Sequence, residues 1–259
     1  MAGTVRLDYD GAIAVITNDN PAKHNACDDA MDFRLWEILG ELQERRDIRA
    51  VIWRGEGKAF SSGRDVAARG GGQVTLSHHE LMSQGHRGIR QLMDLPAPVI
   101  AALKGWVIGG SFERALLCDL RIAAEGTRMM LPEVNHGVIP DTGGVARLFQ
   151  MCGPGVASDL VLTGRVMEAP EAYGHGIVSR LVKPEALDDT AWEIARHIAA
   201  RPAVTVKMAR RVIRHLGEAA VRASMAEELI GQTFIVKSDD FTEFRRSRIE
   251  KRDPRYTGS

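Results

Sequence analysis

Cysteine is scarce in this chain: Cys27, Cys118 and Cys152 are the only three in 259 residues, and no pair of them has a metal-ligand spacing. This excludes a disulfide framework and a cysteine-built zinc site, and it fits small buried side chains in a reducing compartment. Net charge is missing too, because 34 Lys and Arg balance 34 Asp and Glu. The general electrostatic attraction toward nucleic acid or an anionic membrane is therefore absent. No uninterrupted apolar run approaches membrane-spanning length, and the opening Met1-Ala-Gly-Thr-Val-Arg-Leu-Asp8 carries charge where a secretory leader would be apolar. The expectation is a cytoplasmic protein with neither a membrane nor a nucleic acid as partner.

With 44% hydrophobic and 26% charged residues, the composition is that of an ordinary globular chain, long enough for one main domain with an appendage. Residues 4–9 and 13–17 read as a hairpin turning at Asp10-Gly11. Met31, Leu35, Ile38, Leu39 and Leu42 recur at helical spacing, and residues 50–54 form a short apolar strand. A helix over 81–93, a strand over 99–103, a helix from about Gly110 and a strand over 120–124 continue the alternation. Such a rhythm predicts an α/β core with largely parallel pairing. Strand signals stop near residue 190. Residues 204–215, 218–236 and 239–251 then read as three consecutive helices, which divides the chain into a core of 1–190 and a helical region of 191–259. The polar stretch 73–84, preceded by Gly70-Gly71-Gly72, reads as a mobile loop beside a substrate.

Chemistry is suggested by two glutamates beside glycine turns. Glu113 lies in Gly109-Gly110-Ser-Phe-Glu113-Arg-Ala-Leu-Leu, and Glu133 in Leu131-Pro-Glu133-Val-Asn-His-Gly-Val-Ile-Pro-Asp141-Thr-Gly-Gly144. A carboxylate among apolar residues is costly unless it is paired or protonated, so the pair points to proton transfer. If a helix starts at Gly110, its free first-turn N–H groups and Glu113 share one face, and an oxyanion donor sits beside a carboxylate. The alternative is a solvated first-turn acid. A second turn, Lys58-Ala-Phe-Ser-Ser-Gly-Arg64-Asp-Val66, can aim the Arg64 N–H inward.

Together these segments resemble the crotonase superfamily of enoyl-CoA hydratases and isomerases. The resemblance is carried by Pro21-Ala-Lys-His-Asn25-Ala26, the 58–66 turn, residues 105–119 and 132–144, Leu162-Thr163-Gly164 with residues 172–182, and residues 241–256. It implies an α/β spiral of repeated β-β-α units with a C-terminal helical trimerisation region, assembled as a homotrimer or a homohexamer. It implies an acyl-CoA thioester substrate, no cofactor beyond the coenzyme A of the substrate, and no metal. Carried over by position, the amides of Arg64 and Gly110 form the oxyanion hole. Glu133 exchanges the proton at C2, and Glu113 activates the water added at C3. Lys23, His24, Ala26, Ser62, Arg64, Asp65 and Phe112 are the expected substrate and coenzyme A contacts.

Three positions depart from the plain hydratase pattern. Ser111 ends what is elsewhere a glycine triplet, Phe112 stands where a smaller side chain is common, and Asp141 replaces a glycine. Asp141 either caps the following helix or shuttles a proton further along the acyl chain, as an isomerase requires. Enoyl-CoA hydration leads, with double-bond isomerisation through Asp141 and Glu133 as the rival. A catalytically silent acyl-CoA-binding subunit is the alternative of another class. His78, His79 and His86 lack the spacing of a helical metal site.

Overall fold

The computed structural model describes residues 3–65 and 77–259. The chain opens with an antiparallel hairpin, β1 (Thr4–Asp10) and β2 (Ile13–Asp19), in which Asp10 faces Ile13. Helix α1 (Asp29–Glu44) is capped by Asp28, whose side chain accepts the Met31 N–H, and it buries Met31, Leu35, Ile38, Leu39 and Leu42. Strand β3 (Ala50–Gly55) pairs parallel with β2. Helix α2 (His78–Asp94) begins at a capping box formed by Ser77 and Glu80. The expected loop over 73–84 is therefore helical from residue 78, while Gly70-Gly71-Gly72 and residues 73–76 lie outside the described residues.

From β4 (Val99–Leu103) the chain advances as a superhelix. It passes through β5 (Trp106–Ile108), α3 (Gly110–Leu117), β6 (Leu120–Ala124), β7 (Arg128–Met130) and α4 (Gly144–Thr163), then β8 (Met167–Glu168), α5 (Ala169–Gly174) and β9 (Arg180–Val182). Successive turns add a strand to each of two sheets, ordered β1-β2-β3-β4-β6-β9 and β5-β7-β8. In the large sheet every pairing after the hairpin is parallel. Its central strands are apolar on both faces. Val51, Trp53, Val99, Ala101 and Leu103 join the main core, whereas Ala50, Ile52, Ile100 and Ala102 pack against Leu187, Ala191 and Ala195. Continuous apolar strands are what a sheet covered on both sides requires.

Those three residues belong to α6 (Leu187–Ala199), which covers one face of the sheet. The division expected at residue 190 falls inside this helix. The two helices expected over 204–236 are one, α7 (Ala203–Ile235), followed by α8 (Asp239–Glu250). The break expected near Gly217 does not occur. A glycine inside a helix costs only about 1 kcal/mol, and Gly217 admits Arg147 and Gln150, whose side chain donates to the Gly217 carbonyl at 3.0 Å. Along α8 and beyond it Arg246 pairs with Glu250 and Arg252 with Glu243. Among the described residues no helix is long and apolar enough to cross a membrane.

Candidate active site

Two loops are joined across the ends of the sheets. Asn25, fully buried and in left-handed conformation, donates to the carbonyls of Glu56 and Ala59 at 2.9 and 2.8 Å and accepts from the Asn20 N–H at 2.8 Å. The Pro21 to Ala26 segment thus clamps the loop that follows β3. That loop is bridged to β5: Ser61 N–H donates to the Trp106 carbonyl and Ile108 N–H to the Ser61 carbonyl, both at 3.1 Å. The hydroxyls of Ser61 and Ser111 lie 2.7 Å apart, and Ser61 Oγ also donates to the Asn25 carbonyl. Gly63 approaches the Ile108 carbonyl so closely that a Cβ would stand 2.8 Å from it. Arg64 follows Gly63 and Gly110 lies two residues after Ile108, so the two expected donor amides flank this close approach. Among the described residues, neither N–H is used in a protein hydrogen bond.

Helix α3 starts at Gly110, as its sequence predicts, with Gly109 at φ 58°. Only glycine suits that position, because a Cβ would also lie 2.7 Å from a Glu133 carboxylate oxygen. Glu133 begins a 3-10 turn, Glu133–His136, just after β7, so its carboxylate faces the first turn of α3. One of its oxygens, Oε2, is buried and has no hydrogen-bond partner among the described residues. Burial, followed by the charge of Asp141, pushes its pKa up to about 7, against the pull of a backbone hydrogen bond.

Glu113 is fully buried, which rules out a solvated first-turn acid. Its carboxylate accepts the Thr142 and Gly144 N–H groups at 3.0 Å each and the Asp141 N–H at 3.2 Å. Burial and the neighbouring Glu228, Glu133 and Asp141 raise its pKa well above the ordinary carboxylate range, opposed by the Thr142 amide.

Asp141 does not cap α4. The N-cap is Gly143, with no side-chain bond, and the Asp141 carboxylate instead accepts from the Gln232 amide at 2.6 Å. The chain turns at Gly143 after Asp141 has already been drawn to α7. Phe112 is fully buried within the main core, so its place is set by packing rather than by an open acyl pocket. Lys23 pairs with Asp65 at 2.7 Å, and the Arg64 guanidinium is held by Asp29 and Asp32. Asp32 is shared with Arg114. His24 is in left-handed conformation, and its carbonyl accepts the Ser62 N–H at 2.8 Å. The 3-10 turn before it also brings Ala26 beside the loop. His79 and His86 have separate partners, Thr233 Oγ1 and the Asp141 carbonyl. Among the described residues no group of three or more His, Cys, Asp or Glu side chains is placed to hold a metal.

A buried carboxylate, a second one facing the same helix turn, and two unpaired amides are a layout that can move a proton while holding an oxyanion. Residues 8–259 match the family model described as enoyl-CoA hydratase/isomerase. The chain belongs to this family. It is 35% identical over 263 residues, with 100% of both chains covered, to a carnitinyl-CoA dehydratase of Salmonella arizonae. Its structure is similar to that of an enoyl-CoA hydratase/isomerase from Pseudoalteromonas atlantica, with TM-score 0.87 and 25% identity, covering 98% of this chain and 100% of the other. It is also similar to an enoyl-CoA hydratase/carnithine racemase from Magnetospirillum magneticum, with TM-score 0.76 and 27% identity over 100% and 97% of the two chains. The two-sheet superhelix described above is the crotonase fold of these enzymes.

Two residues of this hydratase/isomerase family member that face the site escaped sequence reading, Glu228 and Gln232 of α7. Both are buried, at 6% and 1% exposure. They share one helical face with the buried Val221 and Met225. Acid and amide groups in phase with an apolar stripe were the available signal.

Proposed function

We propose that the chain is an enoyl-CoA hydratase, adding water across the 2,3 double bond of a 2-enoyl-CoA thioester. The observation that carries this reading is the seating of the Glu133 carboxylate, from the 3-10 turn, against the N-terminus of α3, whose first turn carries the buried Glu113. The thioester oxygen would accept the Arg64 and Gly110 N–H groups, so that charge builds as an enolate where donors are already in place. Glu133, whose pKa is close to neutral, would hold the proton delivered to C2. Glu113 would take a proton from the water that bonds to C3, and its raised proton affinity makes it a stronger base than an ordinary carboxylate. The carnitinyl-CoA dehydratase relatives support a hydro-lyase, since dehydration of a 3-hydroxyacyl thioester is this step reversed.

Double-bond isomerisation is the second reading. Asp141, free of a capping duty, puts a third carboxylate near Glu133. Purified protein should be incubated in heavy-oxygen water with crotonyl-CoA, a longer 2-enoyl-CoA and one bearing a trimethylammonium group. Label in a 3-hydroxyacyl product supports hydration, while a shifted double bond without label supports isomerisation. No turnover of any thioester would leave a silent acyl-CoA-binding subunit.

A further inference from the structure

The turn between residues 141 and 144 offers four successive N–H groups, and two carboxylates divide them. Glu113 takes those of Asp141, Thr142 and Gly144. Glu228 takes the intervening one, accepting the Gly143 N–H at 2.9 Å, while its other oxygen accepts from Ser224 at 2.7 Å. The contact is tight, since a Cβ on Gly143 would lie 2.8 Å from Met225, one turn before Glu228. One turn after it, Gln232 donates to the Asp141 carboxylate at 2.6 Å and to the Ile139 carbonyl at 3.2 Å. One face of α7 thus seats the whole segment against which Glu113 is held.

Hydrogen bonding alone does not require an acid at residue 228, because a glutamine oxygen would accept the Gly143 N–H equally well. A buried negative charge next to Glu113 is costly, and among the described residues the donors bonded to Glu228 are one amide and one hydroxyl. The charge therefore calls for a role that a neutral side chain would not fill. We propose that Glu228 is a positioning residue for the acid–base reaction, fixing the 141–144 turn through the Gly143 amide and controlling the charge on Glu113 through its own.

The surrounding groups are consistent with that direction. Glu113 comes from α3, Glu133 from the 3-10 turn and Asp141 from the segment before α4, all acidic, and Glu228 and Asp141 both add to the proton affinity of Glu113. From α2, His86 engages the Asp141 carbonyl and His79 engages Thr233. Arg147 of α4 is bonded to Gln150. Burial raises the pKa of Glu228 itself to about 7, opposed by Ser224 and Gly143. Its charge consequently changes near neutrality.

This inference rests on the role given to Glu113, so its test is first made without substrate. Protein labelled with 13C-glutamate is titrated by infrared spectroscopy, with Glu113→Gln identifying the Glu113 band. In Glu228→Gln, which keeps the Gly143 bond, the Glu113 midpoint should fall by about one pH unit or more, because a like charge has gone. In Glu228→Asp it should stay nearer the wild type. The acidic limb of kcat/KM against pH for crotonyl-CoA should move the same way, with KM little changed. An unmoved Glu113 midpoint in folded Glu228→Gln overturns the inference even if hydration is active. A midpoint in Glu228→Asp as low as that in Glu228→Gln also overturns it. A shifted midpoint in a protein that turns over no thioester supports the inference while removing the proposed hydration.

Discussion

Ser61 and Ser111 hold their hydroxyls 2.7 Å apart across the two loops that carry the Arg64 and Gly110 amides. Replacing the third glycine of a triplet with serine therefore adds a fastening instead of disturbing the turn. If these amides form the oxyanion hole, Arg64→Pro, which deletes the N–H, should lower kcat by about 10²–10³-fold. Arg64→Ala keeps the N–H and breaks only the pairs with Asp29 and Asp32, so it should cost much less. Steady-state kinetics on folded variants checks this, and equal losses would transfer the role to the guanidinium. Ser111→Ala should lower stability by about 1 kcal/mol in urea unfolding.

Glu113→Gln and Glu133→Gln should each reduce turnover of a 2-enoyl-CoA by at least about 10²-fold while acyl-CoA binding, measured by calorimetry, stays nearly intact. Wild-type turnover in either variant would remove the two-carboxylate mechanism.

Asp141→Asn separates hydration from double-bond migration. Its amide oxygen can still accept from Gln232, so the local shape is retained. An acid that exchanges protons with the acyl chain is lost, however, and migration on a 3-enoyl-CoA should fall at least about 10²-fold, with a much smaller effect on hydration. Migration at the wild-type rate in this variant would end the isomerase role of Asp141.

The raised carboxylates should also be visible in stability. Glu133 and Glu228 move from an ordinary 4.5 to about 7 in the folded protein. Between those values the native state binds more protons than the unfolded chain. Their contribution is fully present below the ordinary value and is lost as pH rises through the folded one. Glu228→Gln should therefore gain stability relative to the wild type on going from about pH 5 to about pH 8. Thermal unfolding at both pH values checks this, and a constant difference would contradict the raised pKa.

A stripe on α7 proposes assembly. Val204, Met208, Val212 and Leu216 follow one another every fourth residue and all are exposed, Leu216 at 85%. Such a row is more apolar than a solvated helix needs. A trimer or dimer of trimers should appear in light scattering at micromolar concentration, and Leu216→Arg should shift it toward the monomer. A wild-type monomer would exclude the proposal.

Much of the core was legible because its physics is local. The strands 99–103 and 120–124 coincide with β4 and β6, since a buried parallel strand is an apolar run bounded by turns. The start of α3 at Gly110 and the burial of its glutamate were marked by the glycine pair and the apolar residues around Glu113. The short β5, β7 and β8 give too few residues for a period, and they exist because the superhelix returns them to one another.

By itself, the sequence determined the family, the alternation of strand and helix, and the two glutamates beside glycine turns, all of which depend on residues close together in the chain. Tertiary structure alone decided the surroundings of Glu113. Glu228 lies 115 residues beyond it yet accepts the amide between two that Glu113 holds, and Gln232 draws Asp141 away from the helix for which capping was one of its two expected roles. Such contacts have no local signature, because the charge felt by a buried carboxylate is set by whatever the folded chain brings within a few ångströms.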